Sequence, residues 1–82
     1  MDKERLQFQG RLAVKKQEAV KLELKIKGLI ESVRIHLDPL EKIEELEIDV
    51  AFSQMTELVA TWAEYKEILD DIAAANKILG RK

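Results

Sequence analysis

The chain has 82 residues, of which 37% are charged and 46% are hydrophobic, and its formal net charge is −2. A chain of this length and composition is typical of a single helical domain, here residues 1–82, with a small core and little stability to spare. The absence of cysteine excludes disulfides and thiolate metal sites. We expect a cytoplasmic protein, because no apolar run reaches the ~20 residues of a membrane span and residues 1–5 lack the apolar core of a signal peptide.

The charge is divided unevenly along the chain. Residues 1–37 carry nine Lys and Arg against five Asp and Glu, whereas residues 38–82 carry five against eleven. A basic arm is therefore followed by an acidic arm.

The first arm, at about 3–37, is predicted to be a helix with an apolar stripe at alternating steps of three and four residues. The stripe runs through Phe8, Leu12, Lys15, Ala19, Leu22, Ile26, Leu29, Val33 and His36. Within it, residues 20–27 alternate apolar and charged side chains, which is also the period of a half-buried strand. We favour the helix, because Leu, Lys and Glu are strong helix formers and no second strand is available for pairing.

A second apolar stripe on the first arm lies off the main one. It consists of Ala13, Val20, Leu24, Gly28 and Ile35. A helix with two apolar faces needs two partners, so we expect this stripe to contact a second copy of the chain. Gly28 either permits close approach of helices there or is a simple imperfection in the helix.

The only proline, Pro39, ends the first helix, because its ring disfavours helical backbone at the preceding residue. Asp38, Pro39 and Glu41 also fit the N-cap, first and third positions of a helix start, so a short helical turn is expected inside the connection at 38–48. Asp49 is a second start signal. Gly80 is a good residue to follow the last helix, where Lys77, Arg81 and Lys82 would face the negative end of the dipole.

The second arm, at about 49–79, shows a 3-4 spacing without a break. Its predicted seam is Ile48, Ala51, Met55, Leu58, Trp62, Tyr65, Leu69, Ile72, Asn76 and Leu79. Such a pattern is typical of helices that pair as in a coiled coil. Trp62 and Tyr65 are interpreted as core side chains rather than as a ligand-stacking site. Asn76 either sets helix register or partner choice, or faces water near the end of the helix.

Two arms of equal length joined by a short connection predict an all-α, antiparallel two-helix hairpin. Its helix-pairing seam would be formed by Leu12, Ala19, Leu22, Ile26, Leu29 and Val33 of the first helix and by Met55, Leu58, Trp62, Tyr65, Leu69 and Ile72 of the second. We expect two such hairpins to form a four-helix bundle or a similar homo-oligomer, with a dimer favoured. The sequence identifies no other protein partner and gives no sign of membrane binding.

No pattern in the sequence predicts a catalytic residue, a cofactor or a metal site. His36 is the only histidine and has neither a second His nor a Cys to join it as a ligand. The acids Glu41, Glu44, Glu64, Glu67, Asp70 and Asp71 have a spacing that resembles the metal motifs of the all-α nucleotide pyrophosphohydrolases. That resemblance implies a metal-dependent nucleotide hydrolase, an alternative we disfavour because Ile48 stands where the first motif needs an acid.

The basic first arm raises a second alternative, a hairpin dimer that binds nucleic acid. The arrangement is similar to that of the plasmid-copy-control RNA-binding bundle, a likeness of fold only. Its basic residues are Lys3, Arg5, Arg11, Lys15, Lys16, Lys21, Lys25, Lys27 and Arg34. We favour pairing between the basic and acidic arms, because acids interrupt the positive charges and Phe8 is the only aromatic residue among them.

The segment Leu37-Asp38-Pro39-Leu40 follows a long Lys/Glu helix, and the chain closes with Ile72-Ala73-Ala74-Ala75-Asn76-Lys77-Ile78-Leu79-Gly80-Arg81. With these segments the chain resembles small uncharacterised helical-hairpin proteins of Mu-like prophages. The resemblance implies a phage accessory protein of unknown role and no catalytic residues. The function we favour from the sequence is a non-enzymatic helical protein that self-associates and presents a surface to a partner.

Overall fold

The computed structural model of the chain describes residues 3–80 and consists of two long helices. Helix α1 spans Lys3–His36, a short 3₁₀ turn spans Ile43–Glu45, and helix α2 spans Ile48–Ile78. The two helices pack side by side as an antiparallel hairpin, as the sequence predicts. Residues 20–27 lie within α1, and none of the described residues forms a strand, so the strand alternative for that segment is wrong.

The hairpin is long and thin, with extents of 65 × 18 × 16 Å. Its radius of gyration is 18.4 Å, against about 12 Å expected for a compact domain of this length. Such a shape leaves room for one line of buried contacts. Within the described part of the chain, the buried side chains are Leu12, Ala19 and Val33 of α1 and Ala51, Thr61 and Ile68 of α2.

The connection differs in detail from the predicted helix start at Asp38. The Asp38 carboxylate oxygen Oδ1 accepts a hydrogen bond from the Leu40 backbone N–H at 2.9 Å, and the Asp38 carbonyl accepts one from the Glu41 N–H at 3.1 Å. These bonds close a turn at Pro39, and the helical turn forms later, at Ile43–Glu45. Asp38 therefore caps a turn rather than a helix.

The end of α2 matches the sequence signals. The Gly80 N–H donates to the Lys77 carbonyl at 3.1 Å, and Gly80 has a φ of 73°, the left-handed conformation that glycine adopts without strain. Lys77 lies in the last turn, near the negative end of the helix dipole. The expectation for Arg81 and Lys82 lies outside the described residues.

Candidate functional site

The buried side of α1 coincides with its main sequence stripe. Leu12, Ala19 and Val33 are buried, and the intervening seam residues Leu22, Ile26 and Leu29 are half-buried. The same series continues through the half-buried Phe8, Lys15 and His36. One continuous face of α1 therefore contacts α2.

The buried side of α2 differs from its predicted seam at alternate positions from Ile48, which is exposed, to Leu69, whereas Asn76 and Leu79 are half-buried. Met55, Trp62 and Leu69 are exposed, with 51% of the Trp62 surface open to solvent. Their places in the seam are taken by the preceding residues, Gln54, Thr61 and Ile68, whereas the predicted Leu58, Tyr65 and Ile72 are half-buried.

The difference arises because α2 contains two series of residues with 3-4 spacing. One passes through Met55, Trp62 and Leu69 and the other through Gln54, Thr61 and Ile68. Both series share Ala51, Leu58, Tyr65, Ile72 and Leu79. The observed seam is rotated by roughly 50° from the predicted one, half of the turn made by one residue. The small side chains of Ala19, Ala51 and Thr61 line the observed seam and allow the two helices to approach closely. The large indole of Trp62 lies outside this close contact.

A polar contact lies within the seam near the connection. The Gln54 Nε2 amide donates to the Ser32 hydroxyl at 2.7 Å, and the His36 Nδ1–H donates to the Ser32 carbonyl at 2.7 Å. The other amide atom of Gln54, Oε1, is buried without a hydrogen-bond partner in the described structure. Thr61 is also buried, but its hydroxyl donates to the Glu57 carbonyl at 2.8 Å. Only Gln54 leaves a buried polar atom unsatisfied among these residues.

One side of the seam is bordered by ion pairs between the helices. Lys25 Nζ lies 3.2 Å from a Glu57 carboxylate oxygen, and Lys15 Nζ lies 3.2 Å from a carboxylate oxygen of Asp71. All four side chains are about half exposed, so each pair contributes at most about 1 kcal/mol. We call this side the charged flank. It accounts for part of the segregation of charge between the two arms.

The opposite side of the seam is apolar and exposed. Its residues follow the helical period on both helices and form one continuous surface, which we call the apolar flank. The apolar flank consists of Ile30 of α1, Leu37 just after α1, and Ile48, Phe52, Met55, Val59, Trp62 and Leu69 of α2. A large apolar patch of this kind on a small protein is typical of a contact surface.

Near the middle of α2, a charged side chain lies against the apolar flank. Lys66 Nζ lies 4.5 Å from the centroid of the Trp62 ring, a cation–π contact. The methylene groups of Lys66 can cover apolar surface while its ammonium stays in water. Trp62 is thus at the centre of the flank and remains half open to solvent.

The total surface supports the same interpretation. The hairpin exposes 6630 Å², whereas a compact monomer of this mass exposes about 5,000 Å². The difference, about 1,600 Å², exceeds the roughly 800 Å² that each partner contributes to a standard protein interface. One contact of ordinary size would therefore remove about half of this excess from each chain.

The second stripe predicted on α1 lies away from both flanks for most of its length. Ala13, Val20, Leu24, Gly28 and Ile35 are all exposed, and a Cβ added at Gly28 would meet no atom within 4 Å. The stripe is less continuous than the apolar flank, because Gln17, Lys21 and Glu31 interrupt it. Contact of this stripe with a second copy stays a prediction.

The acids of the predicted hydrolase alternative are not brought together. Glu41 and Glu44 lie in the connection, whereas Glu64 begins a group that lies 16 or more residues along α2 and thus at least about 24 Å away. Within residues 3–80, no three His, Cys, Asp or Glu side chains form a group that could hold a metal ion. Asp71 instead pairs with Lys15 on the charged flank.

The basic residues of α1 do not form one unpaired stripe. Lys15 and Lys25 pair across the seam with α2, while Lys27 and Arg34 pair within α1 with Glu23 and Glu31, respectively, at 3.2 and 3.3 Å. Binding of nucleic acid stays a prediction. A titration at low salt, where phosphate contacts are strongest, would test it directly.

Comparison of the chain with protein-family models, with curated proteins and with solved structures gave no significant match in any of the three. The resemblance to prophage hairpin proteins therefore stays a prediction. Over the described range, neither helix is both long and apolar enough to cross a membrane.

Sequence reasoning missed the role of Gln54, Thr61 and Ile68 in the seam, but a signal for it exists. Acids at Glu57 and Asp71 pair with the basic helix only if α2 turns that side toward α1. Matching charges between the arms, together with apolar periodicity, would have favoured the observed register.

Proposed function

We propose that this chain is a non-enzymatic helical interaction protein that self-associates, and that a second copy covers the apolar flank. The observation that carries the proposal is the exposed apolar surface from Ile48 to Leu69 on α2, joined by Ile30 on α1 and by Leu37 just after it. The hairpin alone buries no large side chain completely in its described part. Association would supply the apolar burial that two helices cannot provide for each other.

The test is sedimentation equilibrium of the full chain and of two matched variants. Val59 lies on the apolar flank and Val14 on the far side of α1, and their exposed fractions are 57% and 53%. Glutamate is helix-compatible, so neither substitution disturbs the helix that carries it. We expect a dimer that Val59→Glu weakens at least tenfold in Kd, because a carboxylate would be buried in an apolar contact, and that Val14→Glu leaves unchanged.

A third variant separates the apolar flank from the second stripe of α1. Leu24→Glu places a charge on that stripe at nearly the height of Val59 along the hairpin. If Leu24→Glu dissociates the dimer and Val59→Glu does not, the second copy binds the stripe and the proposed surface is wrong. A wild-type chain that stays monomeric up to millimolar concentration overturns self-association itself.

Two finer parts of the proposal rest on sequence alone. A cytoplasmic location is supported by the absence of cysteine, and a role as a prophage accessory protein by the segments at 37–40 and 72–81. A gene placed among genes for phage proteins would support the prophage role, and a gene placed in a metabolic operon would count against it.

A further inference from the structure

We infer that two copies pair with their connections at the same end, so that α1 of each copy lies against α2 of the other. This inference rests on the proposed self-association and adds its orientation. The alternative face-to-face pairing places the connections at opposite ends, with α1 against α1 and α2 against α2. Three features of the hairpin distinguish these two arrangements of the dimer. They are its register, the position of its most exposed apolar residues and its charges.

The register is set by the contacts between Lys15 and Asp71 and between Ser32 and Gln54. It places residues of the two helices at matching heights along the hairpin. From the connection toward the free end, the pairs that border the apolar flank are Leu37 with Ile48, Ile30 with Met55, Glu23 with Trp62, Lys16 with Leu69, and Gln9 with Asn76.

These pairs become steadily more polar with distance from the connection. The first two pairs are apolar on both helices, the next two are apolar only on α2, and the last is polar on both. When two copies meet with their connections at the same end, the apolar pairs face one another. In the opposite arrangement, they would face Lys16, Gln9 and Asn76, which would leave polar groups buried against apolar surface.

The three most exposed large apolar side chains lie at the connection end, although Ile78, at 71%, lies at the free end. Leu40 is 92% exposed, Ile43 is 74% exposed and Phe52 is 73% exposed. The first two lie in the connection and the third in the first turns of α2. With the connections at the same end, this group of side chains lies beside the same group of the second copy.

The charges favour the same orientation. Helix α1 carries nine basic residues against four acidic ones, while α2 carries six acidic against two basic. Pairing with the connections at the same end sets each basic helix beside an acidic helix of the partner. The opposite orientation sets like charge against like, which disfavours association.

The experiment measures distances between spin labels in the full-length dimer. The chain has no cysteine, so Lys42→Cys gives one label in the connection and Gln7→Cys gives one near the free end. In the inferred arrangement, each homodimer gives a label separation below about 30 Å, because neighbouring helix axes lie about 10 Å apart. A mixed dimer of the two variants gives about 50 Å, the length of the intervening helix.

The opposite arrangement reverses this pattern, with long distances in both homodimers and a short one in the mixed dimer. That result overturns the inferred orientation and leaves self-association intact. A sample with monomer mass and no dipolar signal overturns self-association instead. The Val59→Glu background is the control, since it should abolish the signal at either label position.

Discussion

Gln54 is the polar side chain in the seam whose hydrogen bonds are incomplete. Its Nε2 group bonds to Ser32, but its Oε1 atom is buried without a partner in the described structure. An unsatisfied buried carbonyl oxygen costs about 1–3 kcal/mol, and leucine has nearly the same volume as glutamine without that cost. We expect Gln54→Leu to raise the free energy of unfolding by about 1 kcal/mol, measured by urea unfolding followed by circular dichroism at fixed protein concentration.

The matched control for this substitution is Gln17→Leu on the exposed side of α1. A surface change of this kind should alter the free energy of unfolding by less than about 0.5 kcal/mol. Destabilisation by Gln54→Leu would show that the Ser32 hydrogen bond outweighs the unsatisfied oxygen. Ser32 itself can redirect its hydroxyl to a carbonyl one turn earlier in α1.

Trp62 is the only tryptophan and lies at the centre of the apolar flank, so it reports on the proposed contact without a label. Its indole should lose water when a second copy binds. We expect its fluorescence maximum to shift to shorter wavelength as the protein concentration is raised, and to stay constant in Val59→Glu. A constant maximum, while the measured mass doubles, would place the contact elsewhere on the hairpin.

At the scale of the helices, the sequence predicts the two elements and their antiparallel pairing well. The proline at position 39 and the glycine at position 80 act through backbone geometry, and the long 3-4 patterns act through burial of one helix face. The register of α2 is less predictable from its apolar residues. Met55, Trp62 and Leu69 are more apolar than Gln54, Thr61 and Ile68 on average, yet only the latter series lies in the seam.

The choice between those two series depends on the partner helix rather than on α2 alone. Close approach at Ala19 and Ala51 favours small residues, and ion pairs with Lys15 and Lys25 favour the observed rotation. Apolar periodicity predicts a wide apolar face on α2. It does not predict which part of that face contacts α1 and which part stays exposed. The buried part is determined only when α1 and α2 are packed against each other.

Gly28 allows a prediction about α1 as an element. It lies in the helix interior, and an added Cβ would meet no atom within 4 Å. Alanine restricts the unfolded chain and favours the helix, so Gly28→Ala should stabilise the protein by about 0.5–1 kcal/mol. Thermal unfolding at fixed concentration would measure this change. Gly10→Ala, also in open space, should shift the stability in the same direction.

The association state of Gly28→Ala carries separate information. If Gly28 permits close approach of a partner helix, the added methyl group weakens the dimer, and sedimentation would show a higher Kd. An unchanged Kd would agree with a second copy bound at the apolar flank, away from this glycine.

At the scale of the whole molecule, stability and association should be linked. If folding is coupled to dimerisation, a higher protein concentration favours the folded dimer, so its melting temperature rises with concentration. We expect an increase of roughly 3–6 °C for each tenfold increase in concentration, followed by circular dichroism. The Val59→Glu variant should melt at a lower temperature that hardly depends on concentration. A concentration-independent Tm in the wild-type chain would contradict an association coupled to folding.

The position of the second copy could be predicted only in part from the sequence. An excess of apolar surface follows from length and pattern, and it indicates that a partner is needed. The sequence favours the stripe through Val20 and Leu24, because it assigns Trp62 and its neighbours to the hairpin seam. Once the helices are packed, those neighbours become the larger exposed surface, and the candidate surface moves from α1 to α2.

The antiparallel course of the hairpin also determines how the protein can be handled and linked to other molecules. Residues 3 and 80 lie at the same end, some 50 Å from the connection along α1. With the contact surface strongest near the connection, an affinity tag, a surface tether or a fused domain attached beyond either residue would be presented far from it. In the inferred dimer, all four attachment points would emerge together, so a fused cargo would be displayed in pairs at one end of the bundle.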